Sequence, residues 1–213
     1  ADAPAGETRA DAPLGECFDP AEFYLGVQPG PHNPIFRRDY LQSAITPPLV
    51  APDRAYDPIA ETWFYYHLAV RPARIAYVPG PWTIVGEHPG ERISRHWERQ
   101  AFGALKLMQA FMAQCPQTSD TERARRRIGL CAFYTWRALP HGFRGFPVDA
   151  FLTIWRAAPP VSRAALGGRG FQRLARLVGM VPAGRLLRRV KRPAYASIRT
   201  LSAGELAALV GRP

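Results

Sequence analysis

From Ser94 to Gln114 the apolar side chains Trp97, Ala101, Leu105, Met108, Phe111 and Met112 recur every three or four residues. That period lines up side chains on one face of an α-helix, and a helix of this length must lay such a face on a core. A second helix follows almost at once. Ser119-Asp120-Thr121-Glu122 offers an N-terminal cap, and Ile128, Cys131, Ala132, Thr135, Trp136 and Leu139 form a buried stripe that Pro140 and Gly142 end. Two consecutive long amphipathic helices therefore organise the middle of the chain. With 213 residues and 47% hydrophobic content there is enough apolar surface to build a core around them, which excludes wholesale disorder.

On either side the chain is punctuated by proline and glycine. Residues 1–20, rich in Ala, Pro, Gly and acid without a period, read as a disordered lead or a loop, and ordered structure is expected from near Phe23. Gly30-Pro31-His32-Asn33-Pro34 is turn chemistry, and Phe36, Tyr40, Leu41 and Ala44 then mark a short helix over 35–44 that Pro47-Pro48 ends. A helix over 58–70 is expected, with Asp57 as N-cap, Pro58 near its first position and Pro72 as its stop. Arg74-Ile75-Ala76-Tyr77-Val78 and Trp82-Thr83-Ile84-Val85, separated by Pro79-Gly80-Pro81, read as two short strands. Beyond Pro147 short helices alternate with proline and glycine breaks, and Ser202 with Glu205 makes a capping box for a last one.

Charge divides the chain in two. Residues 1–122 carry 10 basic and 15 acidic side chains, whereas 123–213 carry 18 basic ones and only Asp149 and Glu205 as acids. The second part is a ready partner for an anionic surface, whether lipid, nucleic acid or acidic protein. No run of about 18 apolar residues and no signal-peptide core is present, so the chain is expected to be cytoplasmic, soluble or peripheral at the inner membrane face. Cys17, Cys115 and Cys131 have no metal-ligand spacing and read as reduced thiols. The opening Ala1 in place of Met suggests a processed chain or a piece of a longer one.

Three ordered segments carry a resemblance. Asn33-Pro34-Ile35-Phe36-Arg37-Arg38-Asp39-Tyr40-Leu41 comes first, then Asp57-Pro58-Ile59-Ala60-Glu61-Thr62-Trp63-Phe64-Tyr65-Tyr66-His67-Leu68-Ala69, and then Arg74-Ile75-Ala76-Tyr77-Val78-Pro79 with Glu87-His88-Pro89-Gly90. Across residues 26–100 this order resembles the C-terminal part of family 2 glycosyltransferases. The resemblance implies an α/β fold, helix-dominated in this chain: residues 21–115 as the edge of a GT-A nucleotide-sugar transferase domain, and 116–213 as a basic helical extension. It implies transfer of a sugar from a nucleotide-sugar donor to a saccharide or lipid-linked acceptor.

An acceptor hydroxyl is a poor nucleophile until a carboxylate takes its proton. The family's acidic pair falls on Glu61 and Thr62, so only the first acid is kept. Either Glu61 is the base, or Asp57 one turn earlier takes the role, or the member is inactive; Glu61 also reads as a helix N-terminal acid favoured by the dipole. By the same resemblance His88 is a ligand for a divalent Mg or Mn ion or for the diphosphate, although a lone surface histidine is the plain alternative. His32, Asn33 and Arg37 are the expected substrate-binding residues.

From Phe171 to Arg192, Leu174, Leu177, Val178, Val181, Leu186, Leu187 and Val190 alternate with arginines. Basic amphipathic helices of this kind lie on anionic membrane surfaces, or else pack on a domain with their arginines in water. The rival reading of the basic part is a nucleic-acid-binding module using Phe133, Tyr134, Trp136, Phe143, Phe146 and Trp155 as stacking surfaces. A non-catalytic interaction domain is the third.

Overall fold

A computed structural model describes residues 19–29, 34–76, 97–138, 148–157 and 169–179, together with Pro182, Ala183, Arg185, Leu186, Ser202, Gly204, Glu205 and Ala208. Helix begins at Asp19, whose carboxylate accepts from the N–H groups of Ala21 at 3.1 Å and Glu22 at 3.3 Å. This cap opens a short turn, α1 (Pro20–Glu22), which continues as a π-turn over Phe23–Val27. The helices that follow are α2 (Arg38–Ile45), α3 (Ala60–Leu68), α4 (Trp97–Gln114), α5 (Ser119–Ala138), α6 (Val148–Ala157) and α7 (Arg169–Val178), with a 3₁₀ turn over Arg54–Ile59 leading into α3.

The α/β expectation is corrected by this architecture. The described residues are mostly helical and contain no strand. Of the run expected to be a strand over 74–78, Arg74 to Ala76 are described, and they give an isolated bridge at Ile75. A strand needs a ladder of such pairings with a neighbour, and a single bridge is what the described residues show. Tyr77 and Val78, and the whole second run over 82–85, lie outside the described residues.

The central helix pair is as expected. On α4, Ala101, Leu105, Met108 and Phe111 are buried, and α5 buries Ile128, Ala132 and Trp136. The cap of α5 differs in detail: Thr118 and Thr121, rather than Ser119 and Glu122, form the reciprocal box, the Thr118 N–H reaching the Thr121 hydroxyl at 2.9 Å and the Thr121 N–H reaching Thr118 Oγ1 at 3.3 Å. Thr121 also donates to the Pro116 carbonyl at 2.6 Å, which ties the short α4–α5 turn to the helix it starts. Phe133, expected as a possible stacking surface, is fully buried; its ring meets Trp136 and Trp155 at 5.5 Å and Phe171 of α7 at 6.2 Å. The α5 stripe is wide because α1 and the π-turn cover one flank and α6 the other.

On the other side of α4 sits α3. Its residues Tyr65, Tyr66, His67 and Leu68 are all buried, so the helix is enclosed around most of its circumference. Tyr66 meets Phe111 of α4 edge to face at 5.3 Å. The 3₁₀ turn is seated by Gly103 in mid-α4, where a Cβ would stand 2.6 Å from the Ala55 carbonyl oxygen. Glycine in a helix interior sacrifices about 1 kcal/mol against alanine, and the close approach of the turn is what it permits. The turn is capped by Asp53, which accepts from the Ala55 N–H at 2.7 Å, so α3 starts at Ala60, later than the Asp57 cap read from the sequence.

Candidate functional site

The end of α3 that is not buried carries the carboxylates. Tyr56 and Ile59 turn inward from the 3₁₀ segment, while Asp57 and Glu61 are exposed, one on the turn and one on the first turn of α3. Glu61 lies three and four residues before Phe64 and Tyr65, which is the spacing of one helix face. Both rings are anchor points. The Tyr65 hydroxyl donates to the Pro29 carbonyl at 2.7 Å, and the Phe64 ring meets Phe36 edge to face at 5.5 Å. Tyr24 adds to the same wall, stacking on Tyr65 at 5.5 Å and on Phe36 at 6.4 Å.

Pro29 and Phe36 bracket the segment 30–33, so both flanks of that segment are held on the Glu61 face of α3. His32 and Asn33 themselves lie outside the described residues, as does His88. Arg37, directly after Phe36, is exposed at the N-cap of α2. The structure thus gathers Glu61, Tyr65, Phe36 and the flanks of 30–33 on one side of α3. Burial pushes the Tyr65 phenol above its usual range, and the nearby Glu61 charge adds to that, so at neutral pH Tyr65 is a proton donor and not an anion.

His67, on the opposite side of α3, is structural. It is fully buried, with Nδ1 2.8 Å from the Trp63 carbonyl and Nε2 3.3 Å from the Val50 N–H. Val50 N–H can only donate, which fixes Nε2 as the acceptor and places the proton on Nδ1. Trp63 Nε1 donates to the Val50 carbonyl at 3.0 Å, so two side chains of α3 clamp the backbone N–H and C=O of one residue in the preceding loop. Burial lowers the His67 pKa, and the neighbouring Arg71 charge acts in the same direction.

Among the described residues no three His, Cys, Asp or Glu side chains gather in a set that holds a metal ion. The divalent metal implied by the resemblance finds no ligand set there. An open hollow of about 410 Å³ lies between α4 and α6, lined by Gln109, Met112 and Ala113 on one side and Ala150, Thr153, Ile154 and Ala157 on the other, with no titratable group in it. The Cys131 thiol, donating to the Leu25 carbonyl at 3.7 Å, is pushed up to about 11 by burial and is no nucleophile.

Sequence reasoning passed over two buried ionisable side chains. Glu98 is fully buried in the first turn of α4, where the helix dipole favours an acid. Arg125 is buried on α5 and donates through Nη1 to the carbonyls of Met112 at 3.2 Å and Cys115 at 3.4 Å, at the C-terminal end of α4. Its spacing on the buried stripe Thr121, Arg125, Ile128, Ala132, Trp136 is the signal that distinguishes it from its exposed neighbours Arg123 and Arg126.

No helix among the described residues is long and apolar enough to cross a membrane. Comparison with protein-family models, curated proteins and solved structures gives no match.

Proposed function

We propose that this chain forms the acceptor side of an enzyme that transfers a sugar from a nucleotide-sugar donor to a saccharide or lipid-linked acceptor, with Glu61 as the general base. The observation that carries this is the exposed Glu61 carboxylate on the one face of α3 to which both flanks of the 30–33 segment are fastened. A carboxylate exposed on a helix that is packed at both ends suits proton removal from a hydroxyl brought against it. The acceptor oxygen bonds to the anomeric carbon as the bond from that carbon to the diphosphate oxygen breaks. The hydroxyl proton goes to Glu61. Asp57, exposed on the preceding turn, is the second carboxylate within the same stretch, and Arg37 offers charge to a departing phosphate.

The reading rests on the exposed face of α3 and not on the α/β fold that the resemblance implied, which the described residues do not have. The test follows release of nucleoside diphosphate from a panel of nucleotide sugars, with saccharide and lipid-linked acceptors, by the intact enzyme. Glu61→Gln keeps shape and removes the proton acceptor, so turnover falls by about 10²–10⁴ with donor affinity unchanged. Unaltered turnover in Glu61→Gln with loss in Asp57→Asn moves the base to Asp57. Absence of transfer by the unmutated enzyme with every donor and acceptor class overturns the reading.

A further inference from the structure

Between Asp149 and Glu205 the sequence holds 11 Arg and Lys side chains and not one Asp or Glu. At the heart of this stretch the apolar face of α7 is divided along its length. Its first part is already occupied: Phe171 is buried against Phe133, and Leu174 and Ala175 are half-buried against the core. Its last part is bare. Leu177 is 84% exposed and Val178 48%. Gly179, in the left-handed region at φ 87°, ends the helix with its N–H on the Ala175 carbonyl at 3.0 Å, and Ala183 then donates to the Gly179 carbonyl at 3.1 Å. Ala183 is buried, which anchors the turn, while Leu186 beyond it is 47% exposed.

Leu177 and Val178 thus project from the end of α7 and Leu186 is exposed beyond the anchored turn, while Arg173, Arg176 and Arg185 in the same stretch carry only positive charge, Arg173 and Arg185 exposed and Arg176 exposed with them. Aliphatic tips within an arginine cluster offer nothing to a nucleic-acid base. Stacking needs free aromatic faces, and none stands among these tips: Phe171, Phe133 and Trp136 are buried, and the exposed ring of Tyr134 belongs to α5. A bilayer surface answers both features, because its phosphates neutralise arginine and its acyl boundary accepts short apolar wedges. We propose that the C-terminal tip of α7 and the turn behind it dock on an anionic lipid membrane, with Leu177, Val178 and Leu186 entering the headgroup–acyl boundary and Arg173, Arg176 and Arg185 set against lipid phosphates. The first half of α7 stays packed on α5. This assignment does not depend on Glu61 acting as a base.

Flotation of the full chain with phosphatidylcholine vesicles, and with vesicles containing phosphatidylglycerol, tests it. The protein co-floats with the anionic vesicles only, and is released as salt shortens the Debye length from about 10 Å towards 3 Å. Replacing Arg173, Arg176 and Arg185 by Gln lowers partition about 100-fold, at roughly fivefold for each charge near the surface. Replacing Leu177, Val178 and Leu186 by Ser lowers it at least tenfold while binding to duplex DNA at the same salt is unchanged. Leu177→Ser alone, at the most exposed position, gives a smaller loss in the same direction and leaves the thermal midpoint in place. Undiminished flotation of the serine variants overturns the proposal, as does absence of flotation by the unmutated chain. Duplex DNA that strips the protein from anionic vesicles overturns it in favour of nucleic acid.

Discussion

Replacing Arg125 by Met tests whether a buried guanidinium holds the corner between α4 and α5. The last carbonyls of any α-helix lack intrahelical partners and carry the negative end of its dipole. At α4 the Phe111 carbonyl is taken by the Cys115 N–H at 2.9 Å, and the Met112 and Cys115 carbonyls are taken by Arg125 Nη1. Arg125 is 7% exposed, so water is a poor substitute. Hydrogen bonds from a charged donor contribute about 1.5–3 kcal/mol each, and at 3.2 and 3.4 Å the lower figure applies. The dipole adds roughly 0.3–2 kcal/mol. Against this stands the desolvation of the guanidinium, whose Nε is buried without a hydrogen-bond partner, and which amounts to several kcal/mol in an enclosed site. Methionine keeps the apolar stem and removes both the donors and that penalty.

The balance is a loss of about 1.5–3 kcal/mol, read as a lower urea midpoint at unchanged m, and about 3–12 °C in Tm for a chain of this size. Arg125→Lys keeps the charge at the helix end but loses the fork, and falls between the two. Arg126→Met is the control: that side chain is exposed and its ion pair, with Glu122 at 3.3 Å one turn back, is a surface one, so its loss stays within about 0.5 kcal/mol. If Arg125→Met changes stability by less than about 0.5 kcal/mol, or raises it, desolvation has cancelled the capping, and the Thr118–Thr121 box alone holds the corner.

Gly103→Ala gains about 1 kcal/mol of helix propensity but drives a Cβ to within 2.6 Å of the Ala55 carbonyl oxygen, so the net effect is a loss of about 1–3 kcal/mol by thermal melt; a stabilised variant would show that the 3₁₀ turn gives way freely. His67, whose pKa is lowered by burial, binds its proton more readily in the unfolded chain, so stability is flat above the unfolded value of about 6.5 and declines as pH drops below it towards the folded value. Urea titrations between about pH 5 and 7.5 should show that slope, and a His67→Gln variant that keeps it would place the acid sensitivity elsewhere.

The helices of the middle were legible because their apolar spacing is long and interrupted by nothing: Leu105, Met108 and Phe111 are buried as the period demands. The carboxylate end of α3 was legible as a place, since Asp57 and Glu61 precede an aromatic run that has to be inside. What escaped depended on partners distant in sequence. The β-rich residues Arg74 to Ala76 look like part of a strand by composition, yet strand formation is decided by a neighbour that local residues do not name. The cap of the 3₁₀ turn went to Asp53 rather than Asp57 because Gly103, far along the chain, admits the turn against α4. The α7 face read as one amphipathic stripe, and only the position of Phe133 shows that its first half is spent on the core.

Gly103 also bears on the candidate site. By letting the Ala55 carbonyl come down onto α4 it fixes the roll of the 3₁₀ turn, and that roll sends Tyr56 and Ile59 inward. With those two inside, Asp57 and Glu61 have only the outer surface left to them. The clamp of Trp63 and His67 on Val50 then fixes the far end of α3 in the same orientation, and Tyr65 and Phe64 carry the flanks of 30–33 to the Glu61 side. A glycine with no side chain to offer a substrate therefore belongs to the placement of the carboxylates as much as the aromatic wall does. Both ends of α3 are held by contacts it cannot make alone, which is why the face it presents is a property of the packed domain and not of the nine-residue helix itself.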